Sequence, residues 1–345
     1  MSVPAVATTG GLIEAESLGF TFMHEHIFCV SAELQSMWPG FGGWDEDEQV
    51  TRAAARLKSI REQYGVQSIL DPTVGGIGRQ LKAVARVAAE SGINILVCTG
   101  WYTPDKLPFT LTFHGIEDLA NHFAKWFTRD LEVGMEGTEI RAAALKCCID
   151  HAGVTPNVEA VLRAVGRAHF NTGAPITTHT EPSLRGGLEL QDIFTEEGVD
   201  LGRVVIGHVG QSGDVDYMER LISAGSYVGF DRCGRARPTA SLERQLDTLV
   251  ELISRGYADR IVIGHDDVFY SDTMPVDKLR KWMGLTDAFP YGYIHSDGGF
   301  LSGLRQRGVA ERDIQTMFVD NPRTYFSGGT GANASAVSAG TPAST

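Results

Sequence analysis

Short, nearly uninterrupted apolar runs recur along the chain, and stretches of helical period lie between them. The runs cover residues 20–28, 68–74, 94–100, 142–150, 175–180, 204–210, 226–232 and 260–266. Amphipathic stretches cover 47–64, 79–91, 116–131, 156–172, 214–224 and 242–255. A strand that is apolar on both sides is buried on both faces, which implies a parallel sheet covered by helices. Alternation with helices then gives right-handed crossover units. Eight such runs in roughly 300 residues predict a TIM-type (β/α)8 barrel, in a single domain over residues 1–327. An open doubly wound sheet would want a glycine-rich phosphate loop, and neither GxGxxG nor GxxxxGK[ST] is present.

Two segments break the rhythm. Residues 328–345 carry no charge and no large apolar side chain beyond one valine, which reads as a disordered tail. The stretch from 267 to about 296 is long for a loop and holds Phe269, Tyr270, Trp282, Phe289, Tyr291 and Tyr293. These aromatics either roof an apolar pocket or pack on the barrel rim.

Composition narrows the setting. The 345 residues include 30 Lys+Arg against 43 Asp+Glu, a formal charge of -13 that argues against a nucleic-acid partner. No run approaches the length of a membrane span, and the first twenty residues lack the basic and apolar regions of a secretory signal. Cys29, Cys98, Cys147, Cys148 and Cys233 are odd in number and form no CxxC, which fits free thiols in a reducing, cytoplasmic setting.

The C-terminal ends of barrel strands carry the chemistry of this fold. Here they read FMHEHIF with His24 and His26, AALKCCID with Lys146, ITTHTEP with His179, VIGHVG with His208, and VIGHDD with Asp266. His24 and His26, two apart on a strand, share a face and can chelate one ion. Lys146 in an apolar run is costly to bury as an ammonium. It either snorkels, pairs with a carboxylate, forms a Schiff base, carries a proton, or is carbamylated by CO2. Singly, His179 and His208 read as hydrogen-bonded core histidines and Asp266 as a helix cap. Together they form a set rich enough for two metal ions with a bridging group between them. Nitrogen and oxygen donors suit zinc foremost, with cobalt, iron or manganese compatible. GxSxG and HExxH are absent, which disfavours a serine hydrolase and a zincin protease.

This set, in this order and spacing, resembles the phosphotriesterase-like branch of the amidohydrolase superfamily, especially its lactonases, from about residue 11 to 326. The resemblance implies that His24, His26 and Asp266 hold the more buried metal, and His179 and His208 the more exposed one. Lys146, carboxylated by CO2, and a hydroxide would bridge them. Tyr102 in CTGWY matches a tyrosine leaning over the centre, and Arg232 in GFDRCG an arginine facing the substrate. Their structural alternatives are a rim aromatic and an ion pair with an acid such as Asp231.

Cys233 and Trp101 depart from the lactonase pattern, which bears on substrate preference. Trp101, Phe269, Trp282 and Phe289 are the candidate pocket residues. The expected chemistry is hydrolysis of N-acyl homoserine lactones or related oxo-lactones, with promiscuous organophosphate triester hydrolysis. Asp266 would serve as proton acceptor, and Tyr102 and Arg232 as orienting groups. The alternatives are a dedicated phosphotriesterase, a carboxylic ester or amide hydrolase, or a non-catalytic binder on the same barrel. A homodimer is expected from the resemblance.

Overall fold

The computed structural model describes residues 4–235, 241–273, 278, 294–295 and 299–328. The chain opens with an antiparallel hairpin, β1 (Ala5–Thr8) and β2 (Gly11–Glu14). Then come β3 (Phe20–Phe22), β4 (His26–Cys29), α1 (Ala32–Met37) and α2 (Glu46–Tyr64). Alternation follows: β5 (Val66–Asp71), α3 (Leu81–Ser91), β6 (Asn94–Gly100), α4 (Ile116–Glu132), β7 (Ala144–Ile149) and α5 (Pro156–Thr172). It continues with β8 (Ile176–Thr180), α6 (Gly186–Glu196), β9 (Val204–Ile206), α7 (Val215–Ser223), β10 (Tyr227–Phe230), α8 (Leu242–Ser254), β11 (Ile261–Ile263) and β12 (Val268–Ser271).

β3, β5, β6, β7, β8, β9, β10 and β11 form one parallel eight-stranded sheet in that order. The edges meet: Met23 N donates to Ile263 O at 2.8 Å and Asp266 N to His24 O at 2.9 Å, which closes the barrel. Alternation along each strand sorts the core into two layers. Leu70, Leu96, Cys98, Ala144, Val205, Tyr227 and Val262 fill the interior, sealed by Val6 of the hairpin and Tyr325 and Phe326 near the C-terminus. Their neighbours Ile69, Ile95, Val97, Leu145 and Ile206 face the helices. Helix starts are fixed by side-chain caps from Asp45, Thr155, Asp214 and Ser241.

The eight apolar runs all became barrel strands, but their ends differ from expectation. The run at 20–28 is two strands, because partners switch within it. Glu25 N donates to Leu70 O, whereas His26 N donates to Asp267 O, so β4 leaves the barrel and pairs in parallel with β12. β9 and β11 stop early. Each is followed by a glycine, and left-handed backbone comes next at His208 (φ 67) after β9 and one residue later, at Asp266 (φ 54), after β11. The start of the supposed long loop is therefore strand β12, and Phe269 sits in it. Trp282, Phe289, Tyr291, Tyr293 and the tail from 329 lie outside the described residues. α6 was hidden by its leading glycines, which the packing requires: a Cβ on Gly187 would stand 2.7 Å from Ile206 Cγ2 and from the Tyr217 hydroxyl. Among the described residues no helix is long and apolar enough to cross a membrane.

Gly100 ends β6 at φ 142, and a Cβ there would sit 1.9 Å from the carbonyl oxygen of Lys146. Gly100→Ala is therefore expected to lower unfolding free energy by about 3 kcal/mol, read by urea denaturation. A loss below about 0.5 kcal/mol would contradict this contact.

Candidate metal centre

Six side chains from five strand ends converge at the barrel mouth. His24 lies in the break between β3 and β4, not on one strand with His26, yet the two rings are 5.4 Å apart. The partner switch described above brings them together, rather than a shared strand face. His26 Nε2 stands 3.2 Å from Asp266 Oδ1, and His24 Nε2 stands 3.6 Å from the same oxygen. Lys146, 1 % exposed, brings Nζ to 3.4 Å from His24 Nε2 and meets no ion-pairing carboxylate among the described residues. On the other side His179 Nδ1 and His208 Nε2 face each other at 3.0 Å.

A surrounding set of acceptors aims these rings. Asp231 Oδ1 accepts from the backbone N of His208 at 2.8 Å and pairs with its Nδ1 at 2.9 Å. Asp231 Oδ2 reaches His24 Nδ1 at 3.2 Å. One carboxylate thus grips a ring on each side of the centre. Asp231 also forms a close triad with His24 and His208 that could itself hold an ion. Its bonds to the two Nδ1 atoms instead make it an outer partner that turns both Nε2 atoms inward. His26 Nδ1 is held by Thr73 Oγ1 at 2.7 Å, and Thr73 donates to Asp71.

Burial opposes the charge on His26, but Cys29 and Asp266 outweigh it and push that ring up to about 10; burial prevails at His24. It holds His24 down to about 3, with the Lys146 charge acting the same way. It also depresses His208, with Arg232 adding to the effect, and lowers Lys146 itself. Burial opposes ionisation of Asp266, but the Arg235 and Arg232 guanidiniums outweigh it and keep the carboxyl well below its usual range.

Neutral imidazoles at His24, His179 and His208, an anionic carboxylate and a deprotonatable amine, with lone pairs crowded at 3–4 Å, are donors short of protons. His179 Nε2 is buried without a hydrogen-bond partner among the described residues. Ligand atoms of His24, His26 and Asp266 all lie within 4.8 Å of one another. The donor set fits divalent cations. A match to the phosphotriesterase family spans residues 4–326.

The chain belongs to the phosphotriesterase family. It is 43% identical over 327 residues to a phosphotriesterase homology protein of Mycobacterium tuberculosis, covering 94% of this chain and 98% of that one. It is 34% identical over 336 residues to an aryldialkylphosphatase of Saccharolobus solfataricus, covering 95% and 100%. The solved structure of the phosphotriesterase from Mycobacterium tuberculosis superposes with a TM-score of 0.85 at 42% identity, covering 94% of this chain and 98% of that one. As a member of this family the protein is a metal-dependent hydrolase.

The remaining expected residues fall as follows. Tyr102 stands edge-on to the His179 ring at 5.2 Å, and its hydroxyl donates to Asp150. Arg232 pairs with Asp266, Nε to Oδ2 at 2.7 Å, and not with Asp231, which the two histidines occupy. Trp101 packs on Phe123 of α4, with centroids 5.5 Å apart, and Phe269 stands edge-on to Phe28 at 6.2 Å.

The sequence assigns no role to Asp150, Arg235 or Glu25, and offers Asp231 only as an ion-pair partner for Arg232. Glu25 lies between the two histidines, and its Oε1 accepts from His265 N at 2.8 Å, tying the HEH turn to the Asp266 turn. Carboxylates that aim metal-binding imidazoles typically affect metal affinity about 10–100-fold. Asp231→Ala is expected to weaken binding of both ions within that range, measured by competition with a chelator. Unchanged affinity at both sites would refute the double grip.

Proposed function

We propose that this hydrolase opens lactones, N-acyl homoserine lactones or related oxo-lactones, and hydrolyses organophosphate triesters as a secondary activity. The observation that carries the reading is the placement of Tyr102 beside His179 and Arg232 beside Asp266, on opposite sides of the cluster. These are the two positions whose residue types match the lactonase branch.

His24, His26 and Asp266 would hold one cation, and His179 and His208 the other, zinc foremost. Lys146 would lie between them after its Nζ adds to the carbon of CO2 and one N–H proton leaves to solvent. The pair of cations, when bound, supplies an activated water and a Lewis acid for the scissile carbonyl or phosphoryl group. Asp266 accepts the proton that the attacking water gives up and passes it to the leaving alkoxide. Its two arginines keep it in the anionic form, the form that can accept a proton. Arg232 can offer its guanidinium to the oxygens of the ring, and Tyr102 bounds the ring from the His179 side. A lactone suits this arrangement because its leaving group remains tethered.

The aryldialkylphosphatase name of the Saccharolobus relative favours the second reading, a dedicated phosphotriesterase. The metal-loaded protein assayed on N-octanoyl homoserine lactone and on diethyl 4-nitrophenyl phosphate separates the two. The lactone is expected to show the higher kcat/KM; a reversed order selects the second reading. Asp266→Asn is expected to lower kcat by about 10²–10⁴-fold on the preferred substrate, with metal content measured alongside. Retention of most activity would remove Asp266 from proton transfer.

Pairing of two copies and a cytoplasmic setting belong to the same reading. Phe109 and Phe113, 75% and 79% exposed and in edge-to-face contact, are aromatic surface that a second copy could cover. The five cysteines are unpaired and buried, which suits a reducing compartment.

A further inference from the structure

We infer that Arg235 is a positioning residue that keeps Asp266 in place while Arg232 turns to the substrate. Both guanidiniums share one oxygen: Arg232 Nε donates to Asp266 Oδ2 at 2.7 Å and Arg235 Nη1 at 2.9 Å. Asp266 sits in left-handed backbone at φ 54, a conformation that surrounding contacts must hold. With Oδ2 gripped twice, Oδ1 is left facing His26 Nε2 at 3.2 Å.

The two arginines are not equivalent. Arg235 is 3% exposed, and its turn is fixed from several sides. Its carbonyl oxygen accepts from Gln211 Nε2 at 3.1 Å and from Gln245 Nε2 at 2.7 Å, and its own N donates to Arg232 O at 3.1 Å. Arg232 makes one further contact, Nη1 to Gln211 Oε1, at a long 3.3 Å. Arg232, at 7% exposed the less enclosed of the two, is the one that the proposed function turns to the substrate. If it were the sole cation on Asp266, its departure to a substrate would leave a buried carboxylate short of compensation at the moment of reaction. Arg235 removes that conflict.

A second observation points the same way. Among the described residues, Arg235 Nε and Nη2 are buried without hydrogen-bond partners. Unsatisfied donors on a buried charge oppose folding, so a residue there for stability alone would be poorly chosen. Such a group is accounted for when its one satisfied contact serves the reaction.

The inference rests on the part given to Asp266 above, not on which ester is preferred. The test uses the full chain reconstituted with zinc, assayed on both N-octanoyl homoserine lactone and diethyl 4-nitrophenyl phosphate, with Tm and metal content measured in parallel. Arg235→Leu is expected to lower kcat about 10–100-fold on whichever substrates turn over, the scale of one lost charge-assisted hydrogen bond, with KM little changed. Its Tm should not fall and its metal content should match the wild type, because Asp266 retains Arg232. Arg235→Lys, which keeps the charge and a donor, should recover part of the loss. Arg232→Leu should instead raise KM. The inference is overturned if Arg235→Leu keeps wild-type kcat, if its loss follows lost metal or a lowered Tm, or if Arg235→Lys recovers nothing. A reversed substrate order fails the lactone reading alone and leaves these comparisons intact.

Discussion

Polar groups sunk into the mouth of an apolar barrel must satisfy one another, and that constraint organises this molecule. Water cannot reach His24, Lys146, Asp231 or His208, so each takes its partner from another strand end. Asp231 is the knot: one carboxylate holds imidazoles on both sides of the centre. Burial keeps those rings neutral, and paired arginines keep Asp266 anionic. The result is a preorganised donor set whose lone pairs point inward and whose protons point outward, the condition for holding cations rather than an internal salt bridge.

The barrel does the positioning through its termini. Strands β9 and β11 are only three residues long, and each gives way to a ligand candidate in strained, left-handed backbone. Glycines before those residues let neighbouring backbones approach: a Cβ on Gly207 would stand 2.0 Å from Thr178 O, and one on Gly264 3.0 Å from His24 N. The apolar interior beneath provides rigidity, and the short, tightly packed ends provide aim. Strain at such places is sustained because surrounding contacts determine it.

Much of this was legible in the chain because the candidate ligands interrupt apolar runs, where a polar residue is conspicuous. Lys146 stands out between Leu145 and Cys147, and His179 and His208 each end a run of the same kind. The break between β3 and β4 was not legible, since Met23–His26 fits strand alternation as well as its neighbours do; only the partner switch to Asp267 creates it. Glu25 and Asp231 were hidden for a related reason. Each sits beside a residue already assigned a role, and its partner lies far away in sequence, His265 for one and both His24 and His208 for the other. Arg235 lies in a glycine- and arginine-rich turn that reads as solvated loop, and only the closed barrel shows it buried against Asp266.

In the proposed function these buried donors would hold a pair of cations around Lys146. Elemental analysis of the purified protein, alongside Lys146→Ala, tests it most directly. About two divalent ions per chain are expected in the wild type and a marked deficit in the variant, partly restored by a short carboxylic acid standing in for the lost bridge. Wild-type protein with at most a trace of metal, or a variant with full metal content, would contradict it.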